Sequence, residues 1–242
     1  MTETSTELPA SEQLPEALRL TAGEARVLAC LVEKEATTPD QYPLTENALT
    51  LACNQKTSRD PVMELSSGEV GHTLRRLESR QLVRSHHASR AQRWEHRLAQ
   101  TYNVTAQQQA AISVLMLRGA QTSNEILARS ERIARFEDDE ELRHTLTRLA
   151  QREPALVVQL PRAPGQREER WAHLLCGPVD VAALQATSQQ AASVAAGVSL
   201  LETLEARVAA LEARLLELES RRPETRLAPP TGQGDRTPAP ED

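Results

Sequence analysis

Arginines and histidines gather between residues 66 and 97 of this chain, and such side chains can bind phosphates and the edges of bases. The segment holds seven arginines and three glutamates, a net charge of +4 before any histidine is counted. Guanidinium forks match phosphate oxygens and guanine edges, so the predicted chemistry is binding of double-stranded DNA. The residues expected to make these contacts are His72, Arg75, Arg76, Ser79, Arg80, Arg90, Arg93, Lys56 and Arg59. The alternative is a merely solvated face, because arginine outnumbers lysine 26 to 2 in the chain and so occurs on every surface.

No arrangement for catalysis, a metal or a cofactor stands out in the sequence. It has no Gly-rich phosphate loop, no nucleophile spaced from a base and no clustered carboxylate pair. His86 and His87 are adjacent on a predicted strand, so they point to opposite faces and poorly suit one zinc ion. Cys30, Cys53 and Cys176 have no CxxC spacing, and we interpret them as buried free thiols in a reducing cytosol. The sequence therefore predicts no enzyme and no cofactor.

The elements that must position the basic side chains occur twice. Three segments of the first half recur in order in the second half: 69–77 as 141–149, 93–98 as 170–175, and 44–49 as 121–126. Three ordered matches indicate a duplicated domain. Each copy has three predicted helices followed by two predicted strands, which is the order of a winged helix. The predicted fold class is mainly α with small β-wings (α+β), as two winged-helix domains in tandem.

Apolar periodicity and capping patterns give the bounds of these elements. In the first copy we predict helices from residue 22, over 45–55 and over 66–80, then strands at 82–85 and 93–96 around a wing turn at 87–90. In the second copy we predict helices over 105–118, 122–130 and 138–152, then strands at 155–160 and 169–175. Trp94 and Trp171, which match between the copies, are expected to pack in the cores.

Composition places these two domains between charged or Pro-rich extensions. The hydrophobic fraction of 39% with only 2% aromatics suits small cores better than a large enzyme. We predict an acidic, disordered N-terminus at 1–19, winged-helix domains at 20–100 and 104–177, a helix or short coiled coil at 181–221, and a disordered tail at 222–242. No signal peptide or apolar span is present, so we expect a cytoplasmic protein without membrane contact.

The two copies differ in charge. Residues 138–174 hold seven acids and six arginines, and Asp138, Asp139, Glu140 and Glu141 crowd the start of the predicted third helix. Those acids suit the helix dipole but would repel a phosphate. We therefore assign DNA contact to the first copy, and the second copy to a protein partner or to setting the geometry.

Residues after 180 show a heptad pattern that predicts a homodimer. The a and d positions are Leu201, Leu204, Val208, Leu211, Leu215 and Leu218. A parallel pair would place Arg207 against Glu212 of the second copy, and Arg214 against Glu219. The alternative is an amphipathic helix that packs on its own chain.

One polar string resembles a known family. Residues 33–44 read Glu-Lys-Glu-Ala-Thr-Thr-Pro-Asp-Gln-Tyr-Pro-Leu, and the pattern continues through 47–49, 52–56 and 59–63. The chain resembles the YceH family, bacterial proteins of uncharacterised function, over about 21–175. The resemblance implies a tandem winged-helix fold and no established activity. It departs in the wing, where Ala88 replaces the usual glycine. We expect Asp40, Tyr42, Asn54 and Gln55 to hold an unusual loop by side-chain hydrogen bonds; alternatively Asn54, Lys56 and Arg59 extend the nucleic-acid face.

The functional hypothesis is a DNA-binding transcriptional regulator that acts as a dimer through the first domain. The competing hypothesis is a protein-interaction module of the kind found in chromosome-segregation complexes, which rests on analogy of fold alone. A continuous basic face on the first copy would favour DNA, and an apolar groove rimmed by acids would favour a partner helix.

Overall fold

The computed structural model describes residues 14–87, 91–162, 166, 168–180, 207–214 and 216. It has an α+β architecture in which small antiparallel sheets follow groups of helices. The chain divides into two compact units, residues 1–185 and 186–242.

The first half of the larger unit combines three helices with a three-stranded sheet. Its elements are α1 (Ala22–Thr37), a 3-10 turn (Pro39–Gln41), β1 (Leu44–Thr45), α2 (Glu46–Cys53), α3 (Ser67–Ser79), β2 (Val83–His87) and β3 (Gln92–His96). Side-chain caps from Thr21, Thr45 and Ser66 begin the three α-helices, because each oxygen accepts an otherwise unpaired backbone N–H. Strand β3 lies between β1 and β2 and is antiparallel to both.

The second half repeats this order with a smaller sheet. Its elements are α4 (Leu98–Tyr102), α5 (Ala106–Arg118), α6 (Ser123–Ser130), α7 (Asp139–Ala150), β4 (Val157–Leu160) and β5 (Arg170–His173). Leu44 pairs with Trp94 in the first sheet, and an isolated bridge joins Gln121 to Trp171 in the second. Each partner of the second pair lies 77 residues after its counterpart. The predicted order of three helices and two strands is therefore present in both halves, and both tryptophans are buried.

The two halves share one hydrophobic core. Helix α1 packs against α5, and residues such as Leu28 and Ile112 have no exposed surface. Backbone hydrogen bonds join Leu20 to Leu175 at 2.7 Å and Asp60 to Leu117 at 2.8 Å. The expected boundary near 100–104 thus lies inside a compact unit, where α4 buries Leu98 and Tyr102. Periodicity alone did not reveal α4, because five residues are too few to show a helical pattern.

Only a short part of the C-terminal unit is described. Residues 207–214 are helical and exposed, and Val208 and Leu211 of the predicted seam are 53% and 57% exposed. The other four seam positions, Leu201, Leu204, Leu215 and Leu218, lie outside the described residues. Among the described helices, none combines the length and the apolar character needed to cross a bilayer.

Candidate nucleic-acid interface

Helix α3 is held by one buried face and a capped start. Ser66 and Glu69 form a reciprocal capping box, which satisfies two backbone N–H groups at the first turn. Val70, Leu74 and Leu77 have no exposed surface and pack toward α1 and α2. The buried stripe at spacings of three and four fixes which side of α3 faces outward.

Gly71 lies where α3 crosses α2. A Cβ atom at this position would lie 2.8 Å from a Glu46 carboxylate oxygen, which is closer than normal contact. The same carboxylate accepts a 2.8 Å hydrogen bond from the Ser67 hydroxyl. Because these atoms are the end of a flexible side chain, a larger residue at 71 would displace the Glu46 carboxylate from Ser67 and need not separate the two helices.

The outward face of α3 exposes four of the predicted contact residues. They are His72, Arg75, Arg76 and Ser79. Arg75 forms no ion pair or hydrogen bond with any side chain that the structure describes. Ser79 donates its hydroxyl proton to the Arg76 carbonyl at 2.8 Å, so it is partly used within the helix. Arg75 is therefore the clearest unoccupied donor on this face.

Arg76 is partly exposed on the outward face and also contacts a buried side chain. Its Nε lies 3.4 Å from a carboxylate oxygen of Glu24, a residue whose side chain is almost fully buried, while the Arg76 side chain is 52% exposed. Glu24 also caps α1 through the Thr21 backbone N–H. Arg76 can reach solvent with its terminal nitrogens, but its charge also compensates a buried carboxylate.

Arg80 is occupied by structural contacts. Its guanidinium donates to the carbonyl oxygens of Ala17 and Arg19 and to Glu24, which lies 3.1 Å away. These bonds hold the segment before α1 against the end of α3, beside a cleft of about 630 Å³. The structure places Arg80 in this role, so we leave it out of the proposed DNA contacts.

Arg93 also binds backbone. Its Nη1 donates to the carbonyl oxygens of Gln41 and Pro43 at 3.2 and 2.7 Å. These bonds connect β3 to the turn that precedes β1. Arg93 is half-buried and has this donor committed, so it is left out as well.

Arg59 lies in the interior rather than on the surface. It is 6% exposed, pairs with Glu33 at 2.6 Å, and donates to the Ala52 carbonyl and to the Gln55 side chain. Lys56, three residues earlier, is exposed and has no polar partner among the described residues. Of the two predicted contacts in this loop, only Lys56 is available to a phosphate.

The roles of Arg80 and Arg93 recur in the second half of the unit. Arg152, at the position that matches Arg80, donates to the carbonyls of Tyr102 and Asn103 before α5. Arg170, which matches Arg93, donates to the Ala120 carbonyl at 2.8 Å. The second half keeps these arginines although its corresponding surface is acidic. The repeated contacts show that they belong to the architecture.

The hairpin also has one exposed arginine. Arg84 lies opposite Glu95 in the strand register, and both His86 and Glu95 are half-buried with an Nε2–Oε2 distance of 2.8 Å. Arg84 is exposed without a described partner. Arg90 and the rest of the wing turn at 88–90 lie outside the described residues.

Four polar residues within 38–62 were expected to hold a loop by side-chain hydrogen bonds, and three of them do so. The Tyr42 hydroxyl accepts the His96 backbone N–H at 2.7 Å, and Asn54 both donates to and accepts from Leu65. Gln55 accepts from Arg59. Asp40 is exposed and makes no such bond that the structure describes.

A histidine–glutamate contact next to this loop was missed in the sequence. His96 Nε2 lies 2.8 Å from Glu35, although the two residues are 61 positions apart. The hydrogen bond to His96 holds the pKa of Glu35 below its usual value. Nothing in the local sequence pattern of either residue indicates the contact.

Known proteins resemble this chain over most of its length. The model of a family described as "Protein of unknown function, DUF480" matches residues 20–166. A UPF0502 protein from Xanthomonas axonopodis pv. citri (strain 306) is 56% identical over 200 residues, which is 83% of this chain and 89% of that protein. A UPF0502 protein from Stenotrophomonas maltophilia (strain K279a) is 52% identical over 219 residues, or 89% of this chain and 98% of that protein. The expected membership of an uncharacterised bacterial family is confirmed, under the names DUF480 and UPF0502.

Proposed function

We propose that this chain, which belongs to the uncharacterised DUF480 family, is a DNA-binding transcriptional regulator. Two winged helices would form its larger unit, and the first would grip double-stranded DNA. The second would bind a protein partner or set the geometry. The C-terminal heptads would join two copies as a homodimer. The protein would act in the cytoplasm.

The observation that carries the proposal is the exposed, unpaired Arg75 on the outward face of a firmly anchored helix. A helix that buries one stripe and exposes donors on the other is the element that enters a major groove in a winged helix. His72 and the terminal nitrogens of Arg76 lie on the same exposed face of α3. These groups can reach base edges or phosphates without disturbing the core.

The surrounding charges support phosphate contact. Arg84 and Lys56 are exposed and have no described partner. The nearby glutamates are each held in local bonds: Glu69 caps α3, Glu78 accepts the Ser85 N–H, and Glu95 lies against His86. Held in place, these acids do not pair with Arg75, so its charge stays available to an incoming phosphate.

Helix α7 offers a different surface. Asp138 caps it, and three more acids occupy its first turn. Arg143 is paired with Asp139 on the helix surface. Arg148 is exposed and unpaired among the described residues, as Arg75 is on α3. This likeness makes Arg148 a matched control.

Fluorescence anisotropy with random-sequence duplex DNA tests the proposal. We expect binding that weakens steeply with salt, by a log–log slope of about −0.9 for each phosphate neutralised. Arg75→Glu should weaken binding at least about tenfold, whereas Arg148→Glu should leave it within about twofold. Arg75→Glu is a cleaner variant than a change at Arg76, since an acid at residue 76 would face the buried Glu24 carboxylate. Equal affinity for wild type and Arg75→Glu would remove this face from DNA binding.

A second candidate function, a protein-interaction module, is favoured by exposed apolar side chains. Leu51 on α2 is 68% exposed and Val62 in the following loop is 54% exposed. Large apolar groups in water can mark a surface that another protein covers. Absence of DNA binding even at low salt would make this function the leading one.

A further inference from the structure

The segment before α1 is anchored against the C-terminal end of α3. The Leu14 side chain is buried, and its carbonyl accepts a hydrogen bond from Arg19 Nε at 2.8 Å. The Ala17 carbonyl accepts two hydrogen bonds from the guanidinium of Arg80, the C-cap residue of α3. The chain that precedes Leu14 is therefore attached to the compact unit close to the end of α3.

One cleft connects this segment with the outward face of α3. Glu16, Arg76 and Arg80 line the same space of about 630 Å³. Arg80 is occupied by its structural contacts, whereas the Arg76 side chain is 52% exposed. Arg75 is the neighbour of Arg76, and His72 lies four residues before it, which is about 6 Å along a helix. The anchored segment thus lies beside the side chains that are proposed to contact DNA.

The residues before Leu14 have the charge that complements this face. Residues 1–13 contain three acids, Glu3, Glu7 and Glu12, and no lysine, arginine or histidine. On α3, Arg75 is exposed and has no acidic partner among the described residues. Thirteen extended residues span about 40 Å at most, and the 13 residues of α3 are about 20 Å long. The segment is therefore long enough to reach the whole outward face.

We propose that residues 1–13, which lie outside the described residues, bind the outward face of α3 and compete there with DNA phosphates. Their carboxylates would occupy Arg75 and Arg76 in place of phosphate oxygens. Because the segment is tethered beside the face, its effective concentration is on the order of millimolar, and weak ion pairs suffice for competition. The competition rests on the proposed DNA binding, whereas the contact between the segment and α3 does not.

Two triple variants with the same change in net charge test the competition. The first combines Glu3→Gln, Glu7→Gln and Glu12→Gln, and the control combines Asp235→Asn, Glu241→Gln and Asp242→Asn. In fluorescence anisotropy at low salt, the first variant should bind random duplex DNA about three- to tenfold more tightly than wild type. The control should stay within about twofold of wild type. The gain should shrink as salt rises, because exposed ion pairs are screened. Equal affinities of the two variants would overturn the competition.

A nitroxide label on the segment tests the contact in the full chain without DNA. The label is attached to Ser5→Cys in a Cys176→Ser parent, because the other two cysteines are buried. In NMR spectra it should broaden the backbone amide signals around Arg75 on α3 and leave those around Arg148 on α7 sharp. The three Glu→Gln changes, or about 1 M salt, should restore the α3 signals.

The two measurements separate failure of this inference from failure of the proposed function. Sharp α3 signals in the labelled protein would overturn the contact, whatever the DNA result. Absence of DNA binding by wild type and both variants would overturn the competition together with the proposed function. Broadened α3 signals would then still support binding of the acidic segment to that face.

Discussion

The arginines in the segment 66–97 and in the loop before it divide into those that bind other parts of the protein and those that face solvent. Arg59, Arg80 and Arg93 donate hydrogen bonds to backbone carbonyls. Arg59 and Arg80 also donate to carboxylates. Arg75 and Arg84 are exposed and donate no hydrogen bond to the described residues. Counting charges assigned the same role to Arg59, Arg75, Arg80 and Arg93 and did not single out Arg84, because charge is visible in a sequence and the contact partner is not.

A signal in the sequence does set Arg93 apart from the other arginines. Arg93 and Trp94 recur as Arg170 and Trp171 in a copy whose surface is acidic. An arginine that recurs where phosphate binding is not expected points to a structural contact, and both arginines do bind the backbone. Arg59 had no such signal, because its partner Glu33 lies 26 residues away.

His173 leads to a prediction about pH. Burial lowers the pKa of this imidazole to about 4, and its Nδ1 has no hydrogen-bond partner among the described residues. The matching His96 contacts Glu35, so the two copies differ at this point. The folded protein disfavours the protonated form of His173. The free energy of unfolding should therefore be highest above about pH 6.5 and fall as the pH drops toward 4.

The size of this effect is about 3 kcal/mol, since the pKa falls from 6.5 in the unfolded chain to about 4 in the folded protein and each unit is worth about 1.4 kcal/mol. Urea unfolding of wild type and His173→Gln at several pH values from 7 to 4 would measure it. We expect a flatter profile for the variant, because glutamine does not titrate. Parallel profiles for the two proteins would show that His173 does not set the acid sensitivity.

Whole elements were easier to predict than their contacts. The bounds of α3 and α7 follow from apolar spacing and from caps that bind backbone N–H groups within three residues. Strand β1 was missed because it has only two residues, and these pair with Trp94 and Arg93 about fifty positions later. Local pattern thus gives long helices, while short strands depend on partners that are distant in the chain.

The arginines that follow α3 and α7 bind the chain just before α1 and α5, and these contacts give a prediction at the scale of elements. Arg80→Ala should destabilise the protein by about 2–3 kcal/mol, because it removes the hydrogen bonds to two carbonyls and one of the two arginines that compensate the buried Glu24. Arg152→Ala removes two carbonyl bonds only, and we expect about 1 kcal/mol. Chemical denaturation of both variants would measure the difference.

The comparison also separates structure from binding at Arg80. DNA affinity of folded Arg80→Ala should be close to that of wild type at temperatures where both are native. A loss of affinity as large as that of Arg75→Glu, without loss of stability, would return Arg80 to the binding face.

At the scale of the whole molecule, net charge and local charge point in different directions. The chain has a net charge of −6, and this charge alone would weaken non-specific attraction to DNA. Phosphate contact is governed by charges within about 10 Å at 0.1 M salt. The negative net charge therefore does not contradict the proposed phosphate contact by the exposed arginine of α3.

The C-terminal heptads give the last prediction, which concerns assembly. Val208 and Leu211 are more than half exposed in a single chain, as expected for a seam that a second copy covers. Leu216 is also exposed, at 67%, but falls outside the a and d positions of the heptad. Leu211→Glu and Leu216→Glu therefore make the same chemical change on and off the predicted seam.

We expect wild type and Leu216→Glu to form dimers in sedimentation equilibrium. Leu211→Glu should be monomeric at the same concentrations, because a carboxylate in the seam would be desolvated without a partner. In the proposed dimer two copies of α3 would contact one DNA, so Leu211→Glu should also weaken DNA binding although Arg75 is unchanged. A monomeric wild-type protein would instead favour a helix that packs on its own chain. Dimers of both variants would place the interface on another surface.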